Sequence, residues 1–317
     1  MALILLTGAG FSRNWGGWLA NEAFEYLLGQ DGLHPRVRHL LWAHKESGTG
    51  FEGVYQALKD GASNPTDQAV FRRFHEMVAG MFHSMRHGFQ RVSLGGPIQR
   101  FLASFDAIFT LNQDTLLELQ YIGGDIRQHS DGKFFACETP GLFETDQKIS
   151  PPGLYRPLDP PYSTTNQHQP YFKLHGSSNW MLPDRSDLML IIGGNKVSAI
   201  NSSPLLSWYH EQFRTMLNGA RVVIIGYSFT DDHINKDLIE AAGTGARLFI
   251  VDPSGVDIID KRKPAQIPQP REHLMEKLMG NIDGASRRPL LSTFDGDDIE
   301  RRKLDHFITA AWRGLKS

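Results

Sequence analysis

The stretch LILLTGAGFS, Leu3 to Ser12, begins as an apolar run and ends in a turn with glycines at positions 8 and 10. A short Leu/Ile run closed by glycine reads as a strand buried on both faces, the kind found in parallel sheets. At its carboxyl end the turn presents backbone N–H groups where open α/β sheets hold phosphates. The same residues also suit a plain strand-to-helix turn. Arg13 stands where a dinucleotide-binding fingerprint has its third glycine. On this stretch alone both readings stay open.

Three further runs repeat the pattern: Phe105–Leu111, Arg221–Ile225 and Arg247–Val251, with Ala2–Leu6 as the first of the four. Two weaker runs are Tyr171–Leu174 and Leu188–Ile192. The four strong runs end in TGAGFS, NQD, GYSFTDD and DPSG, polar or glycine-bearing turns that a parallel sheet would gather along one crevice. Helical patterns fill the intervals. Trp18–Leu28 carries Leu19, Ala23, Tyr26 and Leu27 on one side, and Gln68–His87 carries a Met and Phe stripe read as core. Nearly 100 residues between the first two strands are too many for one crossover, so Gly17 to Gln99 is expected to be a helical insertion or lid module. Gly123–Gln169 is loop-rich, Asp231–Ala241 begins with two acids suited to a helix N-terminus, and residues 254–317 are expected to be a helical extension. Its last helix, Asp297 to Trp312, is expected to bury Ile299, Leu304, Phe307, Ile308 and Ala311. The fold class is therefore α/β: a Rossmann-like parallel sheet flanked by helices, with a helical insertion module.

Composition narrows the function classes. The 317 residues hold 33 Lys and Arg against 35 Asp and Glu, which gives no electrostatic reason to expect nonspecific nucleic-acid binding. The clusters Lys261-Arg262-Lys263 and Arg301-Arg302-Lys303 are local, and the second is ringed by acids. A single cysteine, Cys137, makes neither an intrachain disulfide nor a cysteine-rich zinc site. His83 and His87 stand four apart, but Ser84 follows His83 where a metalloprotease helix has Glu, so no metal is assigned. No apolar run approaches the roughly 20 residues that span a bilayer, and the opening residues do not read as a secretory signal. No membrane association and a cytoplasmic location are expected.

Each turn has a bland reading beside a chemical one. Asn112 and Asp114 in FTLNQDT form either an Asx turn capping the next helix or a polar pair delivered to the crevice. His175 in YFKLHGSSNW is a core histidine or a base, and the glycine after it points to close backbone packing. Gly226 and Ser228 lie at the next strand end, and Asp252 at the one after, where an acid suits ribose hydroxyls. Taken together, the five turns outweigh any one of them.

In order and content, GAGFS, the Asn-x-Asp of FTLNQD, the KLHGS histidine and the Gly-x-Ser of GYSF resemble the sirtuin family, from Met1 to about Pro253. KLHGSSNW and GYSFTDDHIN look more narrowly like the sirtuin-like proteins of bacterial antiphage defence systems. The resemblance implies a single NAD-binding domain over residues 1–317, NAD as substrate, and no zinc. It places the backbone of Gly8, Ala9 and Gly10 on the pyrophosphate with Ser12 close by, and Arg13 at a phosphate or the nicotinamide side. Gly226 and Ser228 would border the adenosine half, and Asp252 its adenine or ribose. Asn112, His175 and Asp114 would be the catalytic residues. Two departures argue against acyl-lysine chemistry. The four-cysteine zinc module is missing, and NWGGW replaces the Gly-Ile-Pro-Asp-Phe-Arg segment of deacylating sirtuins.

The expected activity is NAD glycohydrolysis to nicotinamide and ADP-ribose, used as a defence effector that depletes NAD. Unrestrained hydrolysis would kill the host, so a sensor or regulatory protein partner, or assembly into a homo-oligomer or hetero-complex, is expected to control it. The alternatives are a non-catalytic module binding NAD or ADP-ribose, and a zinc-less NAD-dependent deacylase.

Overall fold

A computed structural model describes residues 1–145, 153–184, 187–260 and 274–313. Lys261-Arg262-Lys263, the Pro151-Pro152 pair and the side chain of Ala311 lie outside the described residues.

The strands are β1 (Leu3–Thr7), β2 (Ala107–Thr110), β3 (Ala136–Glu138), β4 (Leu142–Glu144), β5 (Tyr155–Pro157) and β6 (His168–Lys173). They continue with β7 (Gly176–Met181), β8 (Leu188–Leu190), β9 (Arg221–Ile225), β10 (Arg247–Val251) and β11 (Ile282–Ser286). Between β1 and β2 run α1 (Ala9–Arg13), α2 (Ala20–Leu28), α3 (Pro35–Glu46), α4 (Gly50–Asp60), α5 (Pro65–Phe89) and α6 (Gly96–Ala103). After β2 come α7 (Leu116–Gln120), α8 (Lys196–Asn201), α9 (Pro204–Leu217), α10 (Asp232–Gly243), α11 (Leu274–Leu278), α12 (Leu290–Phe294) and α13 (Asp298–Arg313).

Seven strands pair in the order β11-β10-β9-β1-β2-β6-β3, every pair parallel. A small mixed sheet, β4-β5-β7-β8, stands beside it. The alternation along β1 decides the layering. Leu3 and Leu5 enter one apolar core, Ile4 and Leu6 the other, because successive side chains of a strand point to opposite faces. The first core takes the insertion helices and α13, the second takes α9 and α10. Each fully buried Leu or Ile contributes roughly 1.5–3 kcal/mol, so the central strands are held from both sides.

The α/β class with its parallel sheet is thus observed. Helix α5 starts where Asn64 accepts a hydrogen bond from the Asp67 N–H and Pro65 takes the first turn; it buries Phe74, Met77, Val78, Met81, Phe82, Met85 and Phe89. This stripe packs into the core shared with the sheet face.

Three differences from the sequence reading have physical causes. Leu188–Ile192 joins the small sheet, not the large one, because a short apolar run carries no sign of its partner. Residues 254–317, expected to be helical, supply β11 (IDGAS), whose polar, glycine-bearing composition hid an edge strand paired on one side only. Ile299 is 74% exposed. It lies five residues before Leu304, about 140° around the helix from it, so it cannot share the face of Leu304, Phe307 and Ile308.

Candidate active site

The sheet changes direction at β1: the chain builds β2 and β6 on one side and returns through β9 and β10 on the other. At that point the turns after β1 and β9 touch backbone to backbone. A Cβ on Gly8 would lie 2.6 Å from the Gly226 carbonyl oxygen, and one on Gly10 would lie 2.6 Å from Gly226 Cα. Gly226 itself has φ +62°, so glycine is needed there twice over. The Gly8 N–H donates to the Ile225 carbonyl and the Gly10 N–H to the Gly226 carbonyl, both at 3.0 Å. These two N–H groups hold two strand ends together. Ala9, exposed between them, begins α1.

Ser12 and Asn112 are brought together. Ser12 is buried, and the Asn112 side-chain amide donates to Ser12 Oγ at 3.0 Å. Thr110 Oγ1 accepts from the Asn112 N–H and from Thr7 Oγ1, so the ends of β1 and β2 are locked to each other. Gln113 donates to the Ile191 carbonyl, and its own carbonyl accepts from the Ser178 N–H. Asp114 builds an Asx turn leading into α7: its Oδ1 accepts from the Leu116 N–H, while its carbonyl accepts from Lys173 Nζ. Its carboxylate is thus engaged in building the turn.

The register Thr110↔Lys173 puts Asn112 and His175 each two residues beyond a paired position on neighbouring parallel strands. Both therefore lie at the carboxyl edge, on the ends of adjacent strands. His175 sits where the chain passes from β6 in the large sheet to β7 in the small one. Gly176 makes that turn at φ +72°, with its Cα so close to the Met189 carbonyl that a Cβ would lie 2.1 Å from the oxygen. The imidazole is 3% exposed, and its Nε2 lies 3.1 Å from His233 Nε2. Burial pushes the His175 pKa well below the ordinary histidine value, helped by the positive charge of Lys196, so the ring is neutral. Among the described residues its Nδ1 has no hydrogen-bond partner.

Behind this pair lies a charged chain. Asp231 Oδ1 accepts from Lys196 Nζ at 2.7 Å, and Lys196 also meets Glu52 Oε2 of α4 at 2.9 Å. Burial opposes the Asp231 charge, but the Lys196 ammonium, through its charge and its hydrogen bond, holds the carboxyl below its usual range. Tyr227 pins the loop by donating to the Asp231 carbonyl and to Asn235 Oδ1. Donor atoms of His175, Asp231 and His233 lie within 4.8 Å of one another, as a metal would need. The Lys196 ammonium already occupies the Asp231 oxygen, so the cluster is a hydrogen-bonded network carrying its own cation.

The remaining expected residues are more peripheral. Arg13 is exposed and pairs with Glu22 at 2.8 Å. Ser228 is exposed and shares a hydrogen bond with Thr230. Asp252 is half-buried at the end of β10, where its Oδ1 accepts from the Ser254 N–H.

Residues 106–277 match the model of a family described as the SIR2-like domain. The protein belongs to this family. No curated protein sequence matches it. Solved structures similar to it include a Sir2 homologue–NAD complex (15% identity, TM-score 0.44, 96% of this chain and 90% of that one). A mutant Sir2 homologue–ADP-ribose complex gives 14%, 0.41, 96% and 92%, and Sir2 bound to a propionylated peptide gives 12%, 0.37, 96% and 92%.

The SIR2-like fold also brings to this edge residues that no sequence motif singles out. Asp231 and His233 lay in plain view in TDDHIN, but as helix-start residues they suggested capping only. Glu52 and Lys196 carried no local signal, since their meeting depends on α4 folding back onto the sheet edge. Lys173 did carry one. A lysine inside the apolar run YFKL must bury its ammonium, and it does so at 0% side-chain exposure against Glu118 Oε1 at 2.5 Å.

Proposed function

We propose that this SIR2-like protein is an NAD glycohydrolase, cleaving NAD to nicotinamide and ADP-ribose, and acts as a regulated effector in antiphage defence. The observation that carries the reading is that Asn112 and a buried, neutral His175 follow the carboxyl ends of the adjacent strands β2 and β6, next to the strand reversal where α/β sheets bind nucleotides.

The chemistry suits these side chains. Nicotinamide is cationic while attached to ribose and leaves neutral, so no general acid is required. The transition state needs an oxocarbenium-like sugar held in place and a positioned water. Asn112, fixed by Ser12, orients the ribose or that water. His175 accepts a proton from a ribose hydroxyl or the water through Nδ1. A module that merely bound NAD would have no use for a desolvated base. The defence role and the controlling partner or assembly rest on the resemblance of KLHGSSNW and GYSFTDDHIN, and on the cost to a cell of unrestrained NAD loss.

The test is nicotinamide release from NAD by purified protein, beside His175→Ala and Asn112→Ala variants shown to be folded. Release by the wild type that vanishes in both variants is expected. Protein inert toward NAD in every assembly state would overturn the reading.

A further inference from the structure

His175 presents a problem as a base. It is buried, and a positive charge placed on it would lie close to the Lys196 ammonium with little water to screen it. A histidine so placed accepts a proton poorly unless the charge moves on. The structure offers one place for it to go. His233 Nε2 lies 3.1 Å from His175 Nε2, and His233 is less buried and has a nitrogen within 4.8 Å of an Asp231 carboxylate oxygen.

We propose that His233 is a positioning residue that relays the proton: as His175 gains one at Nδ1, it passes another from Nε2 to His233. The step balances. An O–H bond of the ribose hydroxyl or water breaks and an Nδ1–H bond forms on His175. The Nε2–H bond of His175 breaks and an Nε2–H bond forms on His233. His175 stays neutral throughout, and the imidazolium appears on His233.

The surroundings favour that location. Facing His233 are Asp231 and Asp232 from its own segment, Lys196 from α8, His210 from α9 and His175 from the β6–β7 turn, with Glu52 of α4 behind Lys196. Burial lowers the His233 pKa too, but less severely than that of His175; both carboxylates favour a charged His233, and Lys196 opposes it while spending its charge on Asp231 and Glu52. His210 donates its Nε2–H to the Leu174 carbonyl, so that nitrogen does not compete for the proton.

This inference rests on the glycohydrolase reading for its purpose, but its first test does not need activity. Nitrogen-15 NMR of the imidazoles during acidification is expected to show His233 protonating before His175. It should also place the proton of neutral His175 on Nε2. If His175 protonates first, or carries its proton on Nδ1, the relay is overturned whether or not the protein consumes NAD.

The second test is kinetic. In His233→Gln the amide oxygen still accepts from His175 Nε2–H but takes no proton. The rate of nicotinamide release should fall about 10²-fold, the low end of a positioned base's contribution, with NAD affinity unchanged. Solvent-isotope proton inventory should show two protons in motion in the wild type and one in the variant. Turnover of His233→Gln within threefold of wild type would overturn the relay and leave the glycohydrolase reading intact.

Discussion

Asn112 donates its side-chain amide to Ser12 Oγ at 3.0 Å, joining the turns after β2 and β1. Asparagine has one carboxamide to aim, and this bond decides which way its oxygen faces. A single hydrogen bond is worth about 0.5–1.5 kcal/mol, so Ser12→Ala should lower nicotinamide release roughly 2- to 10-fold through misorientation. Asn112→Ala removes the group itself and should cost at least about 10²-fold. Steady-state kinetics of the two variants check the order. A Ser12→Ala effect as large as that of Asn112→Ala would mean that the serine has its own contact with substrate.

The Lys173–Glu118 pair lies directly beneath this edge, with Lys173 also holding the Asp114 carbonyl. Burial outweighs the attraction of Lys173 and raises the Glu118 pKa. Removing one partner of such a pair typically costs about 3–5 kcal/mol, and Lys173→Met should do so. Without its cation, Glu118 will shift further upward and take a proton. The loss should then grow as pH rises and shrink in acid, a trend visible in chemical denaturation at several pH values. The double variant Lys173→Met/Glu118→Leu should lose less than Lys173→Met alone. A larger loss would show that Glu118 contributes through its contacts with Tyr171 and Ser177 and not only through the ion pair.

The sheet was legible in the sequence because its strands are buried on both faces, and β1, β2, β9 and β10 show this as unbroken apolar runs. Strand β11 was not, since an edge strand with Asp283 and Gly284 in its middle owes its conformation to pairing with β10. The site divides in the same way. Asn112 and His175 stood out because strand ends delivered them. The glycines stood out as a turn, but the sequence carries no sign of the close backbone contact they make. Gly8, Gly10 and Gly226 let two backbones touch, a relation between segments more than 200 residues apart. Glu52, Lys196 and His233 lie on three separate elements, and only tertiary structure assembles them.

His210 gives a stability signature. It is buried, its Nε2–H bonds the Leu174 carbonyl, and burial pushes its pKa down to about 4. In the unfolded chain it titrates near 6.5. The folded value lies below the unfolded one, so the stability from keeping this ring neutral is present above about pH 6.5. It drains away as pH falls toward 4, by roughly 3 kcal/mol over that window. His210→Gln keeps a donor for the Leu174 carbonyl but has no proton to take up. Its stability should therefore fall less steeply than that of the wild type between pH 6.5 and 4. Equal slopes in denaturant titrations would place the acid sensitivity on other groups.

Burial is the main cause that lowers both histidine pKa values, and Lys196 should extend the acid limit of activity further. It links Glu52 of α4 to Asp231, and its charge disfavours protonation of both His175 and His233. Both histidine pKa values lie below the ordinary one, so the neutral, working form persists as pH falls and is lost only on reaching those lowered values. Lys196→Met removes the opposing cation and leaves the Asp231 carboxylate to attract the proton instead. The histidines should then protonate at higher pH, and the acid limb of the rate profile should move upward. The plateau rate at alkaline pH should change less, because there the rings are neutral in both proteins. The wild-type and variant pH profiles of nicotinamide release measure this. An acid limb that stays in place while the plateau collapses would assign Lys196 to holding α4 against the site, with its charge immaterial to the histidines.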